Sequence, residues 1–309
     1  MPRTLSNLPE LLAAHGAALG VVEVREAGLL GRVRQTGFAW TRQPGVASLA
    51  ANRAWFAVAR DNPDVVAIIA PAAVAARESA PGKAVIVCDP ADALYHFLHA
   101  RQSLDGQAGE PDIDASAMVD ASAVLRGTVR IEAGARIGPR VVLDGPLLVG
   151  RDARIDAGAV VGCDGLYVKQ VLGERLHMPH LGGVEIGAGA HVHAGAVVVR
   201  SAVRGESTRI GAGAHVGVLS NIGHDVDVGA AATISSNCVV AGRARIGARA
   251  WIGASASISN MVRIGDDAQV RIGAVVIQDV ADGAEVSGNF ALPHARNMKR
   301  HLRDSRHDA

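Results

Sequence analysis

The sequence predicts a mainly β protein: a parallel β-helix of short coils, with a small α/β domain before it and a helix after it. Three observations predict the β-helix. From Ile186 to Val276 a branched apolar residue returns at every sixth position, as at Ile210, Val216, Ile222, Val228 and Ile234, and only the slot at Arg204 fails. Four residues after each of these markers stands something small or β-branched, as at Ala190, Ala214, Cys238 and Ala256. Gly often follows the marker directly, as in Ile246-Gly247 and Ile252-Gly253. A period of six fits neither a helix at 3.6 nor simple alternation. It fits a short strand plus a turn, stacked so that successive coils bury one continuous core. Three units make an 18-residue coil, so residues that far apart are expected to lie over one another at about one strand spacing, roughly 4.8 Å.

The elements follow in chain order. Residues 1–101 carry no repeat and read as a small α/β domain, a possible nucleotide-binding head. Leu8 to Leu19 reads as a helix with Asn7 or Ser6 as cap and Gly20 as stop. Val21 to Val24 reads as a strand and Ala47 to Ala59 as a helix. Val65 to Ile69 and Ala84 to Cys88 are buried-strand patterns, each followed by a helical segment. The second of those helices opens with Asp89-Pro90, a cap followed by Pro at the first helical position. Residues 102–112 are polar with Gly106, Gly109 and Pro111, and read as a linker.

The β-helix then covers residues 113–282. Its first markers run Ile113, Val119, Leu125, Ile131, Ile137, Leu143, Val149, Ile155 and Val161. The step from Val161 to Ile186 is not a multiple of six, so residues 162–183 must leave the helix as a loop, carrying Cys163, Asp164, Tyr167, His177 and His180. A long excursion on a rigid repeat is a favoured place for function. Residues 283–309 form a terminal extension. Pro293 to Arg306 reads as a basic helix that closes an open end of the solenoid and offers a docking face to an acidic partner.

Composition narrows the function classes. A net charge of +1 gives no global pull toward nucleic acid. Three cysteines, Cys88, Cys163 and Cys238, without metal-ligand spacing point to a reduced compartment. No apolar run approaches the ~18 residues of a membrane span, and Met1 to Asn7 does not read as a signal peptide. A cytoplasmic protein is expected.

The stacking rule places Glu206 one coil before His224, Gly242 one coil after it and Asn260 one coil further. A carboxylate, an imidazole, a glycine and an amide in one column make a general-base arrangement. The glycine N–H can face a developing oxyanion without a side chain in the way. His191, His193 and His215 fall on outward slots and read as surface decoration, and metal binding is disfavoured.

These residues resemble the hexapeptide-repeat acyltransferases, most closely the UDP-3-O-acylglucosamine N-acyltransferases of lipid A synthesis. The likeness runs through Val87-Cys88-Asp89-Pro90, the first hexads, Gly162-Cys163-Asp164-Gly165, Met178-Pro179-His180-Leu181-Gly182, Asn221-Ile222-Gly223-His224 and Val286-Ser287-Gly288. It implies a left-handed β-helix, although parallel crossovers are normally right-handed, and a homotrimer with sites between subunits. It implies that an acyl-carrier-protein thioester donates to the amine of a UDP-linked amino sugar, with no bound cofactor and the carrier docked on the basic C-terminal helix. His224 would then be the general base, with Glu206 or Asp225 orienting it. Gly242 would serve the oxyanion, and His177, His180, Asn221 and Asn260 would lie near the acceptor. Phe38 and Trp40 would hold the uracil.

Gly217 and Met261 stand where that family carries an acid and a second histidine. His224-Asp225 resembles the His-acid pair of N-acetyltransferases acting on nucleotide-linked 4-amino sugars. An acetyl-CoA-dependent enzyme on such a sugar is therefore the first rival. A catalytically degenerate binding trimer and a metalloenzyme are the others.

Overall fold

The computed structural model describes residues 5, 7–104, 109–288 and 295–296. The N-terminal part is a five-stranded sheet with four helices. The strands are β1 (Val21–Arg25), β2 (Gln35–Gly37), β3 (Val46–Leu49), β4 (Val65–Ala70) and β5 (Ala84–Cys88), in the order β1-β5-β4-β3-β2. β1 is antiparallel to β5 and the other pairs are parallel. The helices α1 (Leu8–His15), α2 (Arg53–Asp61), α3 (Ala72–Ala75) and α4 (Ala91–His99) accompany it. Apolar clusters cover both faces: Ile69, Ile86, Leu94 and Leu98 on one, Phe56, Ile68 and Val85 on the other.

Three local expectations fail. Ala47 to Ala59 is not one helix, because Val46, Ala47 and Ser48 are enclosed in the sheet as part of β3. Helix α2 begins only after Asn52, whose side chain accepts a hydrogen bond from the Trp55 N–H at 2.9 Å. Helix α1 ends at His15, ahead of the expected Leu19. Asp89 does not cap its own helix: its carboxylate accepts from the backbone N–H of Ala72, at the start of α3, and Pro90 itself occupies the N-cap of α4.

From Asp112 onward short strands build three parallel sheets, of nine, eight and eight strands among the described residues. From Val129 to Val280 the markers and small slots point inward and form one continuous core, whereas Ile113 in the first coil is exposed. Partners are 18 residues apart in the regular coils, as in Ile137 with Ile155 and Ile222 with Val240. In most hexads the third residue after the marker takes a positive φ, as at Asp225, Asn237, Arg243, Arg249 and Met261. That conformation is costly for a residue with a Cβ, and the stacked coils hold it in place, as where Arg243 N–H donates to His224 C=O at 2.8 Å.

The register jumps twice. Strands flanking residues 162–183 pair across the gap, Leu147 with Val184 and Ile155 with Val192. Part of the excursion forms an antiparallel hairpin, Val168–Val171 with Glu174–His177, and its Val171 is buried in the head-domain core with Leu94 and Leu98. The second jump was not expected. Ile186 pairs with Ile210, Val192 with Val216 and Val198 with Ile222. This coil therefore holds six residues more than the regular ones. The missing marker at Arg204 is a segment looped out of the solenoid, not a silent slot within it.

The helix expected over Pro293 to Arg306 lies outside the described residues except for Ala295 and Arg296, which are helical. Among the described residues no helix is long and apolar enough to cross a membrane.

Candidate active site

His224 sits at the turn between two strands of the solenoid, two residues after the marker Ile222 and just before the positive-φ residue Asp225. The turn makes the two side chains neighbours: His224 Nδ1 lies 2.6 Å from Asp225 Oδ2. The looped-out segment encloses the carboxylate. Ser201 Oγ donates to Asp225 Oδ1, and the Ala202 N–H approaches Oδ2 at 3.4 Å. Thr208 Oγ1 accepts from the Asp225 N–H at 2.9 Å, fixing the turn itself. Burial pushes the Asp225 carboxyl up, but hydrogen bonds from His224 and Ser201 and the nearby Arg243 outweigh it and leave it below the usual carboxylate range. A charged carboxylate thus faces Nδ1.

Below the ring lies Gly242. A Cβ there would come within 2.6 Å of His224 Nε2, so glycine is what lets the ring lie flat over the next coil. The Gly242 N–H has no protein acceptor among the described residues. Two aromatic residues from the excursion frame the ring. Tyr167 is parallel to it at 6.1 Å between centroids, and His180 meets it edge-on at 5.3 Å. His180 is fully buried with neither ring nitrogen hydrogen-bonded. Burial, then the neighbouring His224, holds His180 down to about 4.

The head domain closes the other side. His96 Nε2 lies 2.6 Å from Tyr167 Oη, and His99 Nε2 lies 2.8 Å from the Pro179 carbonyl. Burial pushes the His99 imidazole down to about 4. Phe38 stacks on Trp40 at 5.0 Å, Trp40 packs against Trp55, and the Arg243 guanidinium lies 4.1 Å over the Phe38 ring. These groups, with Tyr95, His96, Tyr167 and Met261, line a pocket of about 170 Å³. It continues into a depression of about 410 Å³ that adds Arg245, Arg263 and Asp279. Arg243 Nε is buried there without a partner.

Each sequence-predicted residue can now be placed. Asp225 and Gly242 meet His224, and His180 lies against it. Glu206 does not stand above it. The longer coil puts Arg200 in that place, as the pairing of Val198 with Ile222 requires. Glu206 instead accepts from the Arg42 N–H at 2.9 Å, and Gln43 Nε2 donates to Gly205 C=O. Its carboxylate ties the looped-out segment to the head. Arg200 is 3% exposed, with ion pairs to Asp144 and Asp164 and hydrogen bonds to the carbonyls of Gly162 and Gly145. It pins the base of the excursion.

His177 is exposed on the hairpin and paired with Val168. Asn221 points outward from its strand between Val197 and Val239. Asn260 is exposed two coils beyond His224 and contacts Ser259. Among the described residues none of these three hydrogen-bonds or stacks on His224. Phe38 and Trp40 lie in the aromatic pocket. Sequence reading missed Ser201, Arg243, Trp55 and His96. Ser201 was legible through the failed slot at Arg204, whereas the other three depend on how the head packs.

No family model matches the chain. Over 95 residues it is 32% identical to UDP-3-O-acylglucosamine N-acyltransferases of Xanthomonas oryzae pv. oryzae strains MAFF 311018 and KACC10331 / KXO85, a stretch that is 31% of this chain and 28% of theirs. The match thus spans little more than a quarter of those curated relatives. Among solved structures, the UDP-N-acetylglucosamine O-acyltransferase of Moraxella catarrhalis RH4 is 27% identical with a TM-score of 0.40, over 62% of this chain and 76% of that one. The UDP-N-acetylglucosamine acyltransferase of Francisella novicida is 20% identical with a TM-score of 0.48, over 61% and 73%. The proteins this chain is similar to are named as acyltransferases, the class that its repeat resembles.

Proposed function

We propose that the protein is an N-acyltransferase that moves an acyl group from an acyl-carrier-protein thioester to the amine of a UDP-linked amino sugar, as in lipid A synthesis. One observation carries the reading. His224 Nδ1 is held by a buried carboxylate while Nε2 lies over an unblocked glycine, beside an aromatic pocket lined by a cation. In this scheme Nε2 takes a proton from the acceptor amine as the amine attacks the thioester carbonyl. The carbonyl oxygen becomes an oxyanion that accepts from the Gly242 N–H. Collapse of the tetrahedral intermediate expels the thiolate, which takes the proton back from the imidazolium. Asp225 holds the ring with its proton on Nδ1 and offsets the transient charge.

In the same scheme Phe38, Trp40 and Trp55 stack the base, and Arg243 meets the diphosphate. Residues 1–101 act as the nucleotide-binding head, the chain works as a homotrimer in the cytoplasm, and the carrier protein docks on the basic C-terminal extension. No bound cofactor is needed for this chemistry.

A second reading keeps the mechanism and exchanges the donor for acetyl-CoA, with a nucleotide-linked amino sugar as acceptor. It draws support from the acid: the carboxylate on Nδ1 is the very next residue, Asp225, while Gly217 stands where the lipid A family carries its acid. Mass spectrometry of products from an amino-sugar panel, with acyl-carrier and CoA thioesters supplied in turn, separates the two. N-acylation only from the carrier supports the first reading, and N-acetylation only from acetyl-CoA supports the second. No product with any donor, despite nucleotide binding, contradicts both.

A further inference from the structure

His191, His193 and His215 stand apart from the site around His224. The sequence reading leaves them as surface decoration, but the structure gathers them. His191 and His215 are direct partners on adjacent parallel strands of the nine-stranded sheet, and His193 follows His191 at the turn. The three rings lie against one another, His191 and His193 half-buried and His215 exposed. His193 Nε2 lies 3.3 Å from His215 Nδ1, and the His191 and His193 rings stack at 3.7 Å between centroids. One nitrogen from each ring can be chosen so that all three lie within 4.8 Å of one another. On the far side Asp156 Oδ2 lies 2.7 Å from His191 Nε2 and 3.6 Å from His193 Nδ1.

We propose that this cluster is a binding site for a divalent transition metal, zinc in the first instance, with the three imidazoles as ligands and Asp156 orienting His191. Three imidazoles with one carboxylate are a donor set that suits zinc. Two nitrogens on one tetrahedral zinc, each bonded at about 2.0–2.1 Å, stand roughly 3.3–3.4 Å apart, the separation seen between His193 and His215. A carboxylate against the second nitrogen of a ligand histidine fixes its tautomer and ring plane. Burial and then the neighbouring His191, with smaller contributions from His215 and Arg154, hold His193 below its ordinary value against the pull of Asp156. Arg154 on the neighbouring strand opposes a dication, and Asp156 offsets it. The fourth position opens on a depression of about 350 Å³ lined by His193, His215, Gly217, Ser235 and Ser236, so solvent or a small anion completes the shell.

The test uses the full chain, stripped with a chelator and titrated calorimetrically with zinc chloride alone. The expected result is one zinc per chain and a raised thermal transition. Both should be lost in a His193→Ala/His215→Ala double variant, whose affinity falls by at least about a hundredfold, since loss of an outer-shell partner alone costs about 10–100-fold. The stripped double variant should melt where stripped wild type does. A His177→Ala variant, altered on the exposed hairpin, should bind as wild type does. Absence of saturable binding at one equivalent overturns the proposal. So does undiminished binding by the double variant, which would assign the metal to other histidines such as those after residue 290.

Discussion

The coil from Ile186 to Ile210 and the one that follows it are built from the same six-residue unit, yet they do different work. The second is regular, 18 residues per turn, and its interior is wholly apolar apart from Ser220. The first holds six extra residues. Together with the excursion before it, it contributes the solenoid's other buried polar side chains among the described residues: His180, Arg200, Ser201 and Thr208. The regular coil supplies a flat platform with Gly242 beneath it. The irregular one supplies the groups that grip Asp225 and so orient His224. A repeat gives position cheaply, and chemistry gathers where the repeat is broken over a coil that keeps it.

Substitutions sharpen that contrast, and the largest effect is expected on the platform. His224→Ala should lower turnover by about 10²–10⁴, the usual scale for losing a general base, with thermal unfolding unchanged. Gly242→Ala places a methyl group on Nε2 and should cost about 10²–10³ in kcat, the range for disabling an oxyanion donor. Asp225→Asn keeps a residue that tolerates positive φ but removes the charge while leaving the base itself in place; a loss at the low end of the acid–base range, on the order of 10², is expected. Ser201→Ala strips a buried hydrogen bond from the carboxylate and should destabilise the fold by about 1–3 kcal/mol, read by denaturant unfolding. The smallest effect is expected from Glu206→Gln, because an amide oxygen still accepts from the Arg42 N–H. Its kcat should stay within about twofold of wild type. A loss as large as that of His224→Ala would restore Glu206 to the catalytic column.

Stability against pH separates the contact of the head with the excursion from the turn that holds His224. His99, buried where the head meets the excursion, titrates at about 4 in the folded chain, below its ordinary 6.5. Between those values the unfolded chain binds the proton more readily, so stability falls as pH drops from about 6.5 toward 4 and then levels for this group. Asp225 is held below the usual carboxylate range, so its contribution is present above the unfolded value and is lost as pH falls through the folded one. Melting temperatures from pH 7.5 to 4 should decline less steeply for His99→Gln than for wild type. Parallel declines would remove His99 from that slope.

The parallel coils were legible because a six-residue period in branched apolar residues can be satisfied only by stacking. The strands Val65–Ala70 and Ala84–Cys88 were legible as buried runs. His224 was legible because the same stacking places a glycine beneath it. Its upper neighbour was misread because a failed slot at Arg204 was taken to preserve the coil as well as the phase. The strand Val46–Leu49 was misread because its residues suit either state and its burial in the sheet decides. The aromatic pocket joins residues near position 40 to Arg243 and Met261, a contact that no local pattern encodes.

The central claim is that Asp225 fixes the His224 ring with its proton on Nδ1 and leaves Nε2 as the free base over Gly242. Nitrogen-15 NMR of histidine-labelled protein at pH 8, with His224 assigned through His224→Ala, tests it most directly. The account predicts a protonated Nδ1 in a strong hydrogen bond that Asp225→Asn abolishes, and an unprotonated Nε2. A His224 carrying its proton on Nε2, unaffected by Asp225→Asn, would contradict it.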